Sequence, residues 1–203
     1  MKLFWAAIRT VAFGLGLLLI VGIGGSSARA DEVTLAGSTT FINSAPFVTF
    51  TTNTFTGTTA LGIGSLSGAN SLGTFALATG ATQLTGGGFQ MDITFTSPTG
   101  ITGGQGATYT ATIVGSVSPN IDQGGVNVHF LNPTQTFSFN DGTNSGSFTL
   151  TVADLFVQTG RTANLTAGFT GEQHAAVPEP TTLLLLGTGI TGIAAKLRRR
   201  KRK

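Results

Sequence analysis

From Asp31 to Ala176 apolar and polar residues alternate, and no stretch keeps a 3.6-residue apolar stripe. Successive side chains of a strand point to opposite faces, so this pattern predicts β-structure throughout. The clearest run is Phe89-Gln90-Met91-Asp92-Ile93-Thr94-Phe95, with Phe89, Met91, Ile93 and Phe95 on one face and Gln90, Asp92 and Thr94 on the other. Further strands are predicted over Val48 to Thr54, Thr74 to Thr79, Thr108 to Val114, Gly125 to Leu131, Thr136 to Phe139, Ser147 to Val157 and Thr162 to Phe169. Loops such as Gly86-Gly87-Gly88, Gly103-Gly104-Gln105-Gly106 and Asn140-Asp141-Gly142-Thr143-Asn144 separate them. The fold class this implies is all-β, an antiparallel β-sandwich of about eight to ten short strands. Within Ser147 to Val157 the apolar phase slips, from Phe148, Leu150 and Val152 to Leu155 and Val157, which predicts a bulge near Ala153-Asp154. Thr74 to Leu77 leading to Phe89, and Thr136 to Phe139 leading to Phe148, read as two hairpins, each with a glycine-bearing turn.

The two ends follow a different pattern. Met1 to Ala30 has Lys2 and Arg9, an apolar run from Val11 to Gly24, and Ala28-Arg29-Ala30, the layout of a secretory signal helix cleaved after Ala30 or after Ala28. At the other end Pro178 and Pro180 enforce an extended spacer. From Thr181 to Leu197 the only charge is Lys196, and a helix of that length spans roughly 25 Å, slightly less than a hydrocarbon core of about 30 Å. Snorkelling by Lys196 and local thinning make a C-terminal transmembrane helix feasible. Arg198, Arg199, Arg200, Lys201, Arg202 and Lys203 then act as a stop-transfer cluster held in the cytoplasm. A buried core helix and a nucleic-acid patch are the competing readings of this segment. The expected organisation is a signal peptide over 1–30, a passenger over 31–170, a linker over 171–176 and a sorting and anchor segment over 177–203.

Pro178-Glu179-Pro180, then Thr181-Thr182-Leu183-Leu184-Leu185-Leu186-Gly187, then the terminal Arg/Lys cluster together resemble the PEP-CTERM sorting domain of Gram-negative bacteria. Gly187 to Gly192 fits the small-residue middle of that family's helix. The resemblance implies recognition by exosortase, a membrane-embedded cysteine transpeptidase, anchoring in the inner membrane before processing, and then a cell-surface or matrix location. Carriers of such tails are associated with exopolysaccharide, and an ice-binding label attaches to some of them. The resemblance covers the tail alone.

Charge sharpens this layout. The whole chain carries a formal +3, yet ten of its eleven Lys and Arg lie in the two ends, leaving Arg161 against seven carboxylates between Asp31 and Ala176. A passenger at −6 opposes binding to nucleic acid. The chain has no cysteine, which removes disulfides, thiol catalysis and thiolate metal sites.

Few passenger residues offer chemistry. His129 lies opposite Val126, Val128 and Phe130, as a solvated strand histidine would, and His174 falls in the predicted linker. No H-E-x-x-H, G-x-S-x-G or phosphate-loop pattern occurs. Asp92, Asp122, Asp141 and Asp154 are the carboxylates available for paired acid–base work, and each also fits a surface or turn role. Asn140 to Asn144 faintly resembles a calcium loop without its spaced acidic ligands. Thr49-Phe50-Thr51-Thr52-Asn53-Thr54-Phe55-Thr56 offers an alternating threonine row of the sort that orders water or ice, although threonine also favours strands. The expectation is a non-enzymatic structural or glycan-contacting passenger without cofactor. The alternatives are a polysaccharide hydrolase using Asp92 and Asp154, or an ice-binding protein.

Overall fold

The computed structural model describes residues 32–175 and 186–191. The signal segment with Ala28 and Ala30, the tripeptide Pro178, Glu179, Pro180 and the cluster Arg198 to Lys203 lie outside the described residues. So does most of the expected transmembrane helix, of which 186–191 are seen and are helical. Among the described residues no helix is long and apolar enough to cross a membrane.

The passenger is all-β and antiparallel, with thirteen strands: β1 Thr34–Asn43, β2 Val48–Thr52, β3 Thr54–Thr58, β4 Ile63–Leu66, β5 Gly73–Leu77, β6 Thr82–Ser97, β7 Gly106–Val117, β8 Gly124–Phe130, β9 Thr134–Asn140, β10 Asn144–Val152, β11 Leu155–Gln158, β12 Thr162–Leu165 and β13 Ala167–Ala175. They form a six-stranded sheet in the order β11-β8-β7-β6-β1-β3, a four-stranded sheet β4-β13-β10-β9 and a three-stranded sheet β12-β5-β2. β6 is the axis of the core because its alternation is the cleanest in the chain. Phe89 meets Phe75 of the three-stranded sheet at 4.9 Å and Phe50 at 5.2 Å between ring centroids. Further along the same face Phe95 meets Phe137 and Phe148 of the four-stranded sheet at 5.2 and 5.3 Å. One strand therefore faces both smaller sheets, and a single apolar cluster fills the space between. Tyr109 of β7 adds a polar link, its hydroxyl donating to the Leu150 carbonyl at 3.4 Å, and burial pushes its phenol pKa upwards.

Several boundaries differ from the sequence expectation, mostly because strands change sheets. The phase slip at Ala153-Asp154 is a crossing and not a bulge: β10 ends at Val152 in the four-stranded sheet and β11 starts at Leu155 on the edge of the six-stranded one. Thr162 to Phe169 likewise divides at Thr166 between β12 and β13. Val48 to Thr54 divides at Asn53, whose side-chain amide donates to the Ala69 and Ser71 carbonyls, both at 2.9 Å. Gly86 to Gly88 are no loop but part of β6, with an irregularity between Thr85 and Gly87. A Cβ at Gly87 would stand 2.7 Å from that of Ala45, so glycine lets the β1–β2 connection lie flat on β6. Of the two expected hairpins β9–β10 is one, whereas β5 and β6 belong to different sheets. β1 lies outside the predicted strands because its inward face uses Gly37 and Thr39 alongside Leu35, which leaves no apolar alternation. Finally, β13 continues to Ala175, paired with Asn144, so 171–175 are ladder residues and not linker.

Candidate functional site

The crossing between β10 and β11 positions Asp154. Val152 N–H donates to the Pro133 carbonyl and Ala153 N–H to that of Thr166, which fixes the backbone on either side of the turn out of the four-stranded sheet. The Asp154 carboxylate then meets the end of β8. Its Oδ1 accepts the Phe130 N–H at 2.8 Å, and its Oδ2 lies 2.6 Å from His129 Nδ1. The Phe130 N–H, with a further contribution from His129, holds the Asp154 carboxyl below the usual carboxylate range. Both side chains are more than half exposed. The sequence identified His129 and Asp154 separately, and the sheet crossing brings them together.

The pair lines an open depression of about 350 Å³ with Asn127, Val128, Leu155 and Phe156. Phe156, on the edge strand β11, is 55% exposed. Its ring lies over Gly125 of β8, where a Cβ would overlap the ring, its Cε2 being 2.7 Å away. Glycine there leaves room for the aromatic ring against the β8 backbone. Asn127 makes no side-chain hydrogen bond among the described residues, and no hydroxyl is hydrogen-bonded to the His129 ring. The arrangement provides a fixed acceptor, an oriented imidazole, a free amide and an aromatic face.

The other carboxylates are placed apart. Asp92 stands on the outer face of β6, accepting from Thr108 Oγ1 at 2.6 Å and from Gln90 Nε2 at 3.1 Å. Asp92 pairs with Thr108 on β7, whereas Thr112 of β7 pairs with His129 on β8. Four residues along and two strands across put His129, the partner of Asp154, about 16 Å from Asp92, far beyond the roughly 5–9.5 Å of a glycosidase pair. Asp122 forms a two-pronged ion pair with Arg161, both contacts at 2.6 Å. Asp141 closes the β9–β10 turn, accepting from the Thr143 and Asn144 N–H groups at 2.8 and 2.6 Å. His174 pairs in register with Ser145 on β10 and is exposed. Among the described residues no three His, Asp or Glu side chains converge as a metal site would require.

Threonines align differently from the expected Thr49–Thr56 row, which is divided between two sheets. Cross-strand hydroxyl pairs form between Thr34 and Thr58, Thr134 and Thr151, and Thr136 and Thr149, at 2.9, 3.1 and 2.8 Å. These pairs give the outer faces ordered hydroxyls with few charges.

Beyond Ala175 the chain enters a segment with an identity of its own. Residues 176–201 match the family described as the PEP-CTERM protein-sorting motif. The C-terminus is a PEP-CTERM tail. That motif supports an exported protein sorted by exosortase, a membrane enzyme. The match starts one residue after the last laddered position of β13. Neither the curated proteins nor the solved structures contain a match to the chain.

Proposed function

We propose that the body ahead of the PEP-CTERM tail is a non-enzymatic module displayed at the cell surface or in the extracellular matrix, where it acts by structural or glycan contact. The observation that carries this reading is the direct join between body and tail. Ala175 is still paired with Asn144, and the matched segment begins at 176. A body whose last strand ends where the sorting signal begins carries its hydroxyl-bearing outer sheet faces to wherever the tail is sorted. Expected partners are the exosortase-type transpeptidase and the inner membrane during sorting, then exopolysaccharide or other matrix components. Cofactors have no part in this reading, and the −6 charge of the passenger opposes nucleic acid.

The test is fractionation of cells that make the full chain with and without the sorting enzyme. The protein is expected at the surface when the enzyme is present and in the inner membrane when it is absent, and Pro178→Ala combined with Pro180→Ala should mimic the absence. Protease added to intact spheroplasts should digest the body. Equal recovery from the cytoplasm in both strains would overturn the proposal.

A further inference from the structure

The outer face at the β11 edge of the six-stranded sheet carries two short rows of side chains set by register. Phe156 pairs with Asn127, and Asn127 with Val114, giving one row across β11, β8 and β7. Beside it His129 pairs with Thr112, and Asp154 reaches His129 from the crossing loop. The first row is mainly apolar, with Phe156 and Val114 about half exposed. The second is polar. At strand spacings of about 4.8 Å and two-residue steps of about 6.8 Å, the backbone positions of the two rows span about 10 by 7 Å, and the Phe156 ring, reaching over Gly125, lengthens the strip on the side away from His129.

From this geometry we infer a binding site for an uncharged oligosaccharide about two pyranose rings long, stacked on Phe156 and hydrogen-bonded through Asp154, Asn127 and His129. The inference rests on the glycan-contacting reading proposed above and gives it a place. A pyranose has apolar C–H faces and hydroxyl edges, and the strip offers an aromatic face bordered by polar groups. The ring of Phe156 is already seated on Gly125, so stacking on it immobilises little that is free beforehand. Asp154 is fixed in the same way by the Phe130 N–H and His129, and a carboxylate keeps lone pairs for sugar hydroxyls after accepting both. Asn127 supplies both donor and acceptor capacity. An anionic ligand is disfavoured, since Asp154 lies in the site and Arg161 is held by Asp122.

The experiment uses the full chain in a zwitterionic detergent without sugar headgroups, titrated with cellotetraose, mannotetraose and tetragalacturonate while backbone amide shifts are followed by NMR. At least one neutral tetrasaccharide should shift Asn127, His129 and Phe156 at millimolar concentration, and tetragalacturonate should bind more weakly. Phe156→Ala should weaken binding at least tenfold and Asp154→Asn severalfold. Phe156→Tyr should keep binding, and Asp92→Asn, on β6, should leave it unchanged. The inference is overturned if no neutral sugar shifts these amides, if Phe156→Ala binds as well as the parent, or if the acidic sugar binds best. Phe156→Ala should still reach the cell surface, so failure here is distinct from failure of the sorting proposal.

Discussion

Thr39→Val tests the polar junction that lets the chain pass from the three-stranded to the six-stranded sheet. Thr39 is 3% exposed at the centre of β1, and its hydroxyl donates to the Leu72 carbonyl at 2.8 Å while accepting the Asn53 N–H at 3.2 Å. Its own N–H donates to the Asn53 carbonyl at 3.1 Å. Asn53 is the break between β2 and β3, so one buried hydroxyl braces the sheet change on β1. Valine keeps the shape and removes the hydroxyl, leaving the Asn53 N–H without that acceptor and the Leu72 carbonyl without that donor. Each buried polar group so stranded costs about 1–3 kcal/mol, and partial exposure of Asn53 favours the lower end, for about 2–4 kcal/mol in all. With a urea m-value of about 2 kcal/mol/M the unfolding midpoint should fall by about 1–2 M. Thr39→Ser retains the hydroxyl and should lose only about 1 kcal/mol for the methyl group. Thr40→Val, on the exposed outer face, should stay within about 0.5 kcal/mol of the parent. Urea unfolding followed by circular dichroism reads all three. A Thr39→Val midpoint matching the parent, or a serine variant as damaged as the valine one, would refute the bracing role.

Three other outcomes follow from the same geometry. Gly100 (φ +71°) and Gly103 (φ +90°) both occupy left-handed backbone, but a Cβ at Gly100 would overlap the Asn140 carbonyl whereas one at Gly103 meets nothing within 4 Å. Gly103→Ala should therefore lose about 1–2 kcal/mol for backbone strain, and Gly100→Ala more by another 1–3 kcal/mol or so, in thermal melts. Phe75→Ala removes a fully buried ring 4.7 Å from Phe50 and should destabilise by about 3–5 kcal/mol, against about 1–2 kcal/mol for Phe75→Leu, measured by urea unfolding. Asp122 is held below its usual 3.8 by the hydrogen bond from Arg161, and Asp141 by the N–H groups of Asn144 and then Thr143. Because the folded pKa is depressed, this stabilisation is present above about pH 3.8 and lost as pH falls through the lower folded values. Melting temperature should thus decline on acidification below about pH 4, less steeply in Asp141→Asn; an unchanged acid slope in that variant would refute the assignment.

The fold was legible where burial and periodicity agree and obscure where the chain changes sheets. Phe89 to Phe95 shows its face because every second residue meets the same core. At Ala153-Asp154 and Thr166 the sequence records a change of phase or a polar interruption, and these marks do not say whether the strand keeps its partner. A bulge and a crossing leave similar traces, and long-range pairing decides between them. Gly86 to Gly88 misled for a related reason: glycine signals a turn when the backbone bends, but here it admits Ala45 against a continuous strand. β1 escaped notice because threonine and glycine fill its inward positions, where Thr39 is buried through hydrogen bonds instead of apolar contact.

The candidate site shows how much a single phase slip can conceal. Leu155 and Val157 mark the inward phase of β11, which puts Phe156 between them on the opposite face. Read as a continuation of β10, that face would have belonged to the four-stranded sheet, far from His129. Once β11 pairs with β8, Phe156 comes opposite Asn127, and Asp154 falls at the end of β8, where the Phe130 N–H and His129 can hold it. The 25-residue separation between His129 and Asp154 is closed by the excursion of β9 and β10 through the opposing sheet. Composition and local spacing contain no trace of that excursion, so His129 and Asp154 were readable one by one, Phe156 and Asn127 carried no mark that set them apart, and the meeting of all four was a property of topology alone.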